Sequence, residues 1–87
     1  MIKVERKSKD EYEVIVREGK TETNHLVALD DAYHRHLTQG KISKEELIKR
    51  SFEFLLKREP KESILPRFNL KVISRYFPEY EEEMKVK

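Results

Sequence analysis

The sequence predicts an α+β fold in which a three-stranded antiparallel β-meander is followed by three to four helices packed on one face. Over residues 1–29 apolar side chains alternate with polar ones, which is the period of a half-buried strand. From residue 30 onward apolar side chains recur every three or four positions, which is the period of a helix. With 87 residues and no long linker, we expect a single domain in which the meander (1–29) leads into a helical part (30–87).

Two polar turns divide the first region into three strands. The turn at residues 8–10 separates the first two strands, and Gly19, which can adopt positive φ, lies in the second turn. Turns this short join antiparallel neighbours. Within each strand we expect one face to carry alternate residues: Ile2 and Val4 in the first, Tyr12, Val14 and Val16 in the second, and Thr21, Thr23, His25 and Val27 in the third.

The helical part begins with a short predicted helix over residues 31–39. Asp30 or Asp31 supplies an N-cap acceptor, and Gly40 lies where a helix-terminating glycine belongs. Two adjacent carboxylates are also compatible with acid–base chemistry, but a helix start favours an acidic cap at this position. We therefore interpret the pair as structural.

The second predicted helix, over residues 43–58, has the strongest signals in the chain. Ser43 and Glu46 have the spacing of a capping box, in which each side chain accepts a hydrogen bond from the other residue's backbone N–H. Its apolar residues cover an arc of roughly 200° of the helix circumference, which is wider than the apolar arc of an ordinary surface helix. We expect the sheet to cover one side, and the last helix or a second subunit to cover the other. The apolar residues are Leu47, Ile48, Phe52, Phe54, Leu55 and Leu56.

Prolines divide the remaining residues into short elements. Two of them bracket a predicted helical turn over residues 61–65, and Asn69 can cap a third helix. Pro78 disfavours a helical conformation at the residue before it, so we expect a break there. An acidic final helix is predicted over residues 79–84.

Composition favours a binding protein over an enzyme. A domain of this size buries only about 60–65% of the surface of its unfolded chain, so a sizeable catalytic cavity would consume its core. Charged residues make up 41% of the chain, but the net charge is only +2 and the signs are evenly mixed. Nucleic-acid-binding proteins usually concentrate lysine and arginine on one face or tail, and no such block is found here.

Residue usage also bears on location. The chain has no cysteine, which excludes disulfides and thiolate metal sites. We find no apolar run that suits a signal peptide or a membrane span, so we expect a cytoplasmic protein that binds no membrane. The abundance of Glu, Lys and Arg over Asn and Gln is typical of proteins from heat-loving organisms.

The three histidines are the residues that most resemble candidate ligands or bases. His34 and His36 lie two positions apart on a predicted helix and therefore point to different sides, so they cannot share a metal ion. His25 lies on a predicted strand with no carboxylate at a suitable spacing. We interpret all three as surface or edge-packed side chains, and predict no catalytic, cofactor-binding or metal-binding residue.

Four residues are candidates for an interaction surface. Phe54 and Tyr80 lie at the edges of their apolar stripes, where an exposed aromatic ring would indicate a partner surface. Lys49 and Arg50 lie on the second predicted helix, where they could contact phosphates if the chain binds DNA.

The C-terminal half contains five short segments that resemble a small uncharacterised prokaryotic protein family. These are SFEFLLKREP (51–60), ESIL (62–65), FNL (68–70), VI (72–73) and YFPEY (76–80). The resemblance implies no activity and assigns no functional residues.

A strand, a helix, a glycine-containing turn and a second helix over residues 21–58 resemble the ribbon-helix-helix repressors. In that family a strand from each of two subunits forms a ribbon that enters the major groove. The resemblance implies that one face of the third strand would contact bases. That face would carry either Thr21, Thr23 and His25, or Glu22 and Asn24.

The sequence therefore favours a non-catalytic protein-interaction or regulatory module that binds a protein partner or a second copy of itself. The wide apolar side of the second helix favours a homodimer. The alternative is a ribbon-helix-helix-like DNA-binding repressor or antitoxin component.

Overall fold

The computed structural model describes residues 1–86, which form an α+β fold with four strands, four α-helices and two 3-10 turns. The strands are β1 (Ile2–Arg6), β2 (Glu11–Glu18), β3 (Thr21–Ala28) and β4 (Arg67–Asn69). The helices are α1 (Asp31–Thr38), α2 (Lys44–Leu56), α3 (Ile73–Tyr76) and α4 (Tyr80–Met84). The 3-10 turns are Lys61–Ser63 and Leu70–Val72.

The predicted antiparallel meander is confirmed for the first three strands. Val4 of β1 pairs with Val14 of β2, which pairs in turn with His25 of β3. Because side chains alternate along a strand, this register places the apolar residues of all three strands on one face. That inner face contributes Tyr12, Val14, Val16 and Val27 to the buried core.

The expectation of a sheet with three strands only is wrong. Residues 67–69 form β4, which runs parallel to β3, pairs Phe68 with Val27 and makes the sheet mixed. Phe68 points inward and is buried. Three residues are too few to show strand alternation, and their pairing depends on a distant segment, so local sequence signals could not predict it.

Helix α1 is confirmed, one residue shorter than predicted. The Asp30 carboxylate is the N-cap and accepts a hydrogen bond from the Tyr33 backbone N–H at 2.7 Å. Gln39 and Gly40 both have positive φ where the helix ends. Asp31 does not cap the helix; its carboxylate pairs with the Lys44 ammonium group at 2.7 Å.

Helix α2 begins as predicted but ends at Leu56 rather than near Arg58. The Ser43 hydroxyl accepts a hydrogen bond from the Glu46 backbone N–H at 3.0 Å, which confirms one half of the capping box. The Glu46 carboxylate instead accepts a hydrogen bond from the Arg50 guanidinium group, also at 3.0 Å.

The wide apolar side of α2 is covered by other elements of the same chain. On the sheet side, the Phe52 ring lies 5.3 Å from the His25 ring of β3. On the other side, the Phe54 ring lies 5.3 Å from the Tyr80 ring of α4. This helix therefore gives no argument for a second subunit, because the last helix of the chain already provides its second cover.

Residues 57–86, which we call the C-terminal segment, are less regular than predicted. The helical turn expected over 61–65 is a 3-10 turn of three residues. The third helix, which Asn69 caps, starts as a 3-10 turn and has only four α-helical residues. The break at Pro78 is confirmed, since Phe77 is extended and α4 begins at Tyr80. Within residues 1–86, no helix has the length and apolar character needed to cross a membrane.

Candidate functional site

Phe54 and Tyr80 do not form an exposed surface, so this part of the predicted interaction surface is wrong. Phe54 is 4% exposed, and the Arg58 guanidinium group lies 3.5 Å from its ring centre. Tyr80 is fully buried, and its hydroxyl lies 2.6 Å from the Ser51 hydroxyl. The turn at Pro78 brings α4 over the edge of the apolar stripe, which the sequence pattern could not show.

The hydroxyl hydrogen bond between Tyr80 and Ser51 has a defined direction. Ser51 donates its only hydroxyl proton to the Leu47 carbonyl oxygen at 2.7 Å, so Tyr80 must be the donor to Ser51. Burial raises the pKa of the Tyr80 hydroxyl, which keeps it protonated. Tyr80 is therefore a structural residue that anchors the C-terminal segment on α2.

Lys49 and Arg50 are exposed, whereas the two aromatic rings are buried. Both are on the solvent side of α2. Arg50 forms an i,i+4 ion pair with Glu46, which reduces the net positive charge of this side. The four predicted surface residues are thus not brought together into one site.

The strand that resembles a DNA-contacting ribbon is paired within the chain on both edges. β3 pairs along its whole length with β2, and its C-terminal part pairs with β4. His25 cannot contact bases because it is only 3% exposed and packs against Phe52. Glu22 and Asn24 point to the opposite, exposed face of the sheet.

The histidines do not converge on a common site. His34 is half-buried and donates from Nε2 to the Ile42 carbonyl oxygen at 2.7 Å, whereas His36 is exposed. His25 is a core residue, which corrects the expectation of a surface or edge position. Across residues 1–86, no group of three or more His, Asp or Glu side chains is arranged to hold a metal ion.

An apolar groove of about 380 Å³ lies between the end of α2 and the C-terminal segment. We call it the C-terminal groove. Its walls are mostly aliphatic and aromatic, with only two polar side chains, Glu59 and Ser63. The apolar wall residues are Leu55, Ile64, Leu65, Phe68, Val72, Ile73, Tyr76 and Phe77.

Buried polar contacts fix one wall of the groove to the sheet. The His25 ring lies with Nδ1 2.8 Å from the Leu65 carbonyl oxygen and with Nε2 2.8 Å from the Thr23 hydroxyl. A carbonyl oxygen only accepts, so Nδ1 carries the proton and Nε2 accepts from Thr23. The Leu26 backbone N–H also donates to the Pro66 carbonyl oxygen at 2.8 Å. These bonds hold residues 65 and 66 rigidly beside β3.

Two exposed hydrophobic side chains lie on the rim of this groove. Tyr76 is 68% exposed and Leu65 is 44% exposed. Among residues 1–86 the other exposed large hydrophobic side chain is Met1. Exposed apolar side chains grouped beside an apolar concavity are typical of a surface that contacts another molecule.

Two charged residues, one in the groove wall and one next in sequence to a wall residue, form no ion pair within residues 1–86. Glu59 is a half-buried wall residue, and none of residues 1–86 forms an ion pair with it. Arg75, beside Tyr76, is exposed and forms no ion pair within the same residues. Lys61, by contrast, is buried and pairs with Glu62 at 2.7 Å and Glu18 at 3.6 Å.

The sequence interpretation missed Tyr76 and Leu65 as surface residues. Tyr76 is the last residue of a helix of only four residues, in which Ile73 is the buried side chain. Composition gave no distinguishing signal: residues 63–78 contain three cations and no Asp or Glu, but so do residues 32–44.

No protein-family model, curated protein or solved structure matches the chain. The resemblances described for residues 21–58 and for the C-terminal half therefore remain predictions.

Proposed function

We propose that this chain is a non-catalytic protein-interaction module that binds through the C-terminal groove. The observation that carries the proposal is an apolar groove of about 380 Å³ with the exposed Tyr76 and Leu65 on its rim. The partner supplies an aromatic or large aliphatic side chain that fills the groove, next to a positively charged residue that pairs with Glu59.

The apolar walls provide the main driving force. Filling the groove removes water from the exposed faces of Tyr76 and Leu65 and from the half-buried Val72 and Phe77. Burial of apolar surface contributes about 25 cal/mol per Å². A single anchor side chain in such a pocket is the usual form of an interface hot spot.

The Glu59 carboxylate is the reason to expect a positively charged residue beside that anchor in the partner. A half-buried carboxylate without an ion-pair partner loses part of its hydration and gains little in return. An incoming Lys or Arg at the groove would pair with it in a partly water-excluded place, which strengthens the attraction. The same carboxylate would repel an acidic partner segment.

A selection from a displayed random-peptide library tests the proposal. Wild-type chain is the bait, and the Leu65→Glu/Tyr76→Ser variant, which places a charge and a small polar group on the rim, is the counter-selection. We expect peptides that bind wild type and not the variant, and that share an aromatic or large aliphatic residue near a Lys or Arg. Peptides that bind both forms equally, or no enrichment at all, would contradict the proposal.

Duplex DNA serves as the control ligand in the same experiment, since a DNA-binding repressor or antitoxin component is the alternative function. That alternative predicts low-salt binding that falls steeply with salt and weakens in the Lys49→Ala/Arg50→Ala variant. Our proposal predicts that fluorescence anisotropy shows no such salt-dependent binding.

A further inference from the structure

We infer that the partner of the C-terminal groove is a second copy of this chain. In this arrangement Tyr76 of each copy enters the groove of the other, and Arg75 of each copy pairs with Glu59 of the other. This inference rests on the proposed function, because it names the occupant of the same groove.

The chain itself presents the partner chemistry that the groove requires. The required segment is an aromatic anchor beside a cation, and Arg75 followed by Tyr76 is such a pair. Tyr76 is 68% exposed, and neither its hydroxyl nor the Arg75 guanidinium group makes a hydrogen bond within residues 1–86. Both side chains are therefore available to a neighbouring molecule.

The placement of Tyr76 and Glu59 on one surface favours two-fold symmetry. Tyr76 is both a wall residue of the groove and an exposed projection beside it, and Glu59 lies in the same groove. A two-fold axis through such a surface makes every contact twice, as in an isologous dimer. An unrelated partner would fill the groove but leave the exposed ring and the unpaired Arg75 without a role.

The size of the surface predicts weak, reversible association. A stable interface buries about 800 Å² on each partner, and the whole chain exposes 5485 Å². Ten residues line the groove and its rim, fewer than the roughly 20–30 that each side of a stable interface contributes, which places the dimer among transient complexes. We therefore expect a monomer–dimer equilibrium at micromolar concentration.

Sedimentation velocity over a micromolar concentration series provides the first measurement. We expect wild type to dimerise reversibly, and Tyr76→Ala to weaken the dimer by about tenfold or more, as for a hot-spot aromatic residue. Arg67→Glu is the matched control, because Arg67 is an exposed cation on the outer face of the sheet and should leave the equilibrium unchanged. A wild-type chain that stays monomeric throughout the series overturns the inference.

A charge exchange tests the pairing of the two copies directly. Arg75→Glu alone places two carboxylates together at each contact, and Glu59→Arg alone places two cations together, so each variant should be monomeric. An equimolar mixture restores an opposite-charge pair at both symmetric contacts and should dimerise. A mixture that remains monomeric, while circular dichroism shows both variants folded, overturns the pairing. Glu59→Gln, which removes the charge without adding bulk, should show an intermediate loss.

Different results would contradict the proposal that the groove binds protein and the inference that its partner is a second copy. If wild type is monomeric but the peptide library still yields groove-dependent ligands, the groove binds protein and only the second copy is wrong. If wild type dimerises but neither Tyr76→Ala nor the charge variants affect the dimer, the second copy docks elsewhere and the inference fails. If neither dimers nor groove-dependent peptides are found, both proposals fail.

Discussion

Backbone hydrogen bonds join β1, β2 and β3 into a continuous ladder, whereas the C-terminal segment adds only the three-residue strand β4 to the sheet and is also held by side-chain anchors. Its anchors include the Tyr80 hydroxyl on Ser51 and the Tyr33 hydroxyl on Glu81, at 2.6 and 2.7 Å. Arg58 adds an ion pair with Glu83 at 3.0 Å within the segment. The first region thus depends mainly on backbone hydrogen bonds, whereas the C-terminal segment combines a few backbone bonds with side-chain anchors.

This difference implies that one region of the domain provides most of its stability and that the other provides the binding surface. A ladder of backbone bonds is spread over many residues, so no single side chain controls it. Segments held by a few contacts open at lower free energy than the core, and binding surfaces are drawn from such segments. The C-terminal groove belongs to the second region, because the C-terminal segment forms all of its walls except Leu55 of α2.

Replacement of the main anchor tests this comparison with the largest expected effect. Tyr80→Ala removes a fully buried ring and its hydrogen bond to Ser51, so we expect a loss of about 3–5 kcal/mol in the free energy of unfolding. Urea denaturation followed by circular dichroism measures this loss. A change below about 1 kcal/mol would show that the segment does not depend on this anchor.

The hydrogen bond between the Tyr80 and Ser51 hydroxyls contributes a smaller part of this free energy of unfolding. Ser51→Ala leaves the buried Tyr80 hydroxyl without an acceptor and should cost about 1–3 kcal/mol. Tyr80→Phe should cost less, about 1 kcal/mol, because Ser51 keeps its bond to the Leu47 carbonyl oxygen. The double variant should then cost less than the sum of the two. Additive effects in this double-mutant cycle would show that the two hydroxyls are not coupled.

The contrast between the β1–β3 ladder and the C-terminal segment also explains how much of the fold the sequence could predict. Ser43, Asp30 and the alternation from Tyr12 to Val16 are local signals, and the elements they predict are present. β4 was missed because its pairing with β3 depends on residues about 40 positions apart. Short elements whose position depends on single side-chain anchors leave no period in the sequence.

The candidate site was harder to predict for the same reason. Phe54 and Tyr80 lie at the edge of an apolar stripe, and sequence spacing cannot say whether another element covers that edge. The turn at Pro78 decides it by bringing Tyr80 over Phe54. Tyr80, after the turn, is buried, whereas Tyr76, before the turn, is exposed.

A smaller effect is expected from the ion pairs that join the meander to the helices. The Lys44 ammonium group lies 2.7 Å from Asp31 and 3.1 Å from Asp10. The hydrogen bond from Lys44 holds the pKa of Asp31 below its ordinary value. Burial opposes the charged form of Lys44, but hydrogen bonds to Asp31 and Asp10 outweigh it and raise its pKa.

These shifts set the direction of the pH dependence. A lowered folded-state pKa means that Asp31 stabilises the fold above its ordinary pKa of 3.8, and that this contribution is lost as the pH falls through the folded value. Lys44, with a raised pKa, stabilises below 10.5 and loses its contribution as the pH rises through its folded value. We expect Asp31→Asn to be less stable than wild type near neutral pH and equal to it in strong acid. A constant difference across the acid range would contradict this account.

The smallest expected effect on stability belongs to the other tyrosine of the C-terminal segment. Tyr76→Ala removes a ring that is 68% exposed, so the free energy of unfolding should change by less than about 0.5 kcal/mol. The measurement requires a concentration at which wild type is monomeric, because self-association would add its own stabilisation. A loss above about 1 kcal/mol would place the ring in the core and remove the argument for a docking surface. Tyr76→Ala and Tyr80→Ala delete the same side chain four residues apart, so a variant that folds normally but no longer binds would separate docking from anchoring within this short stretch.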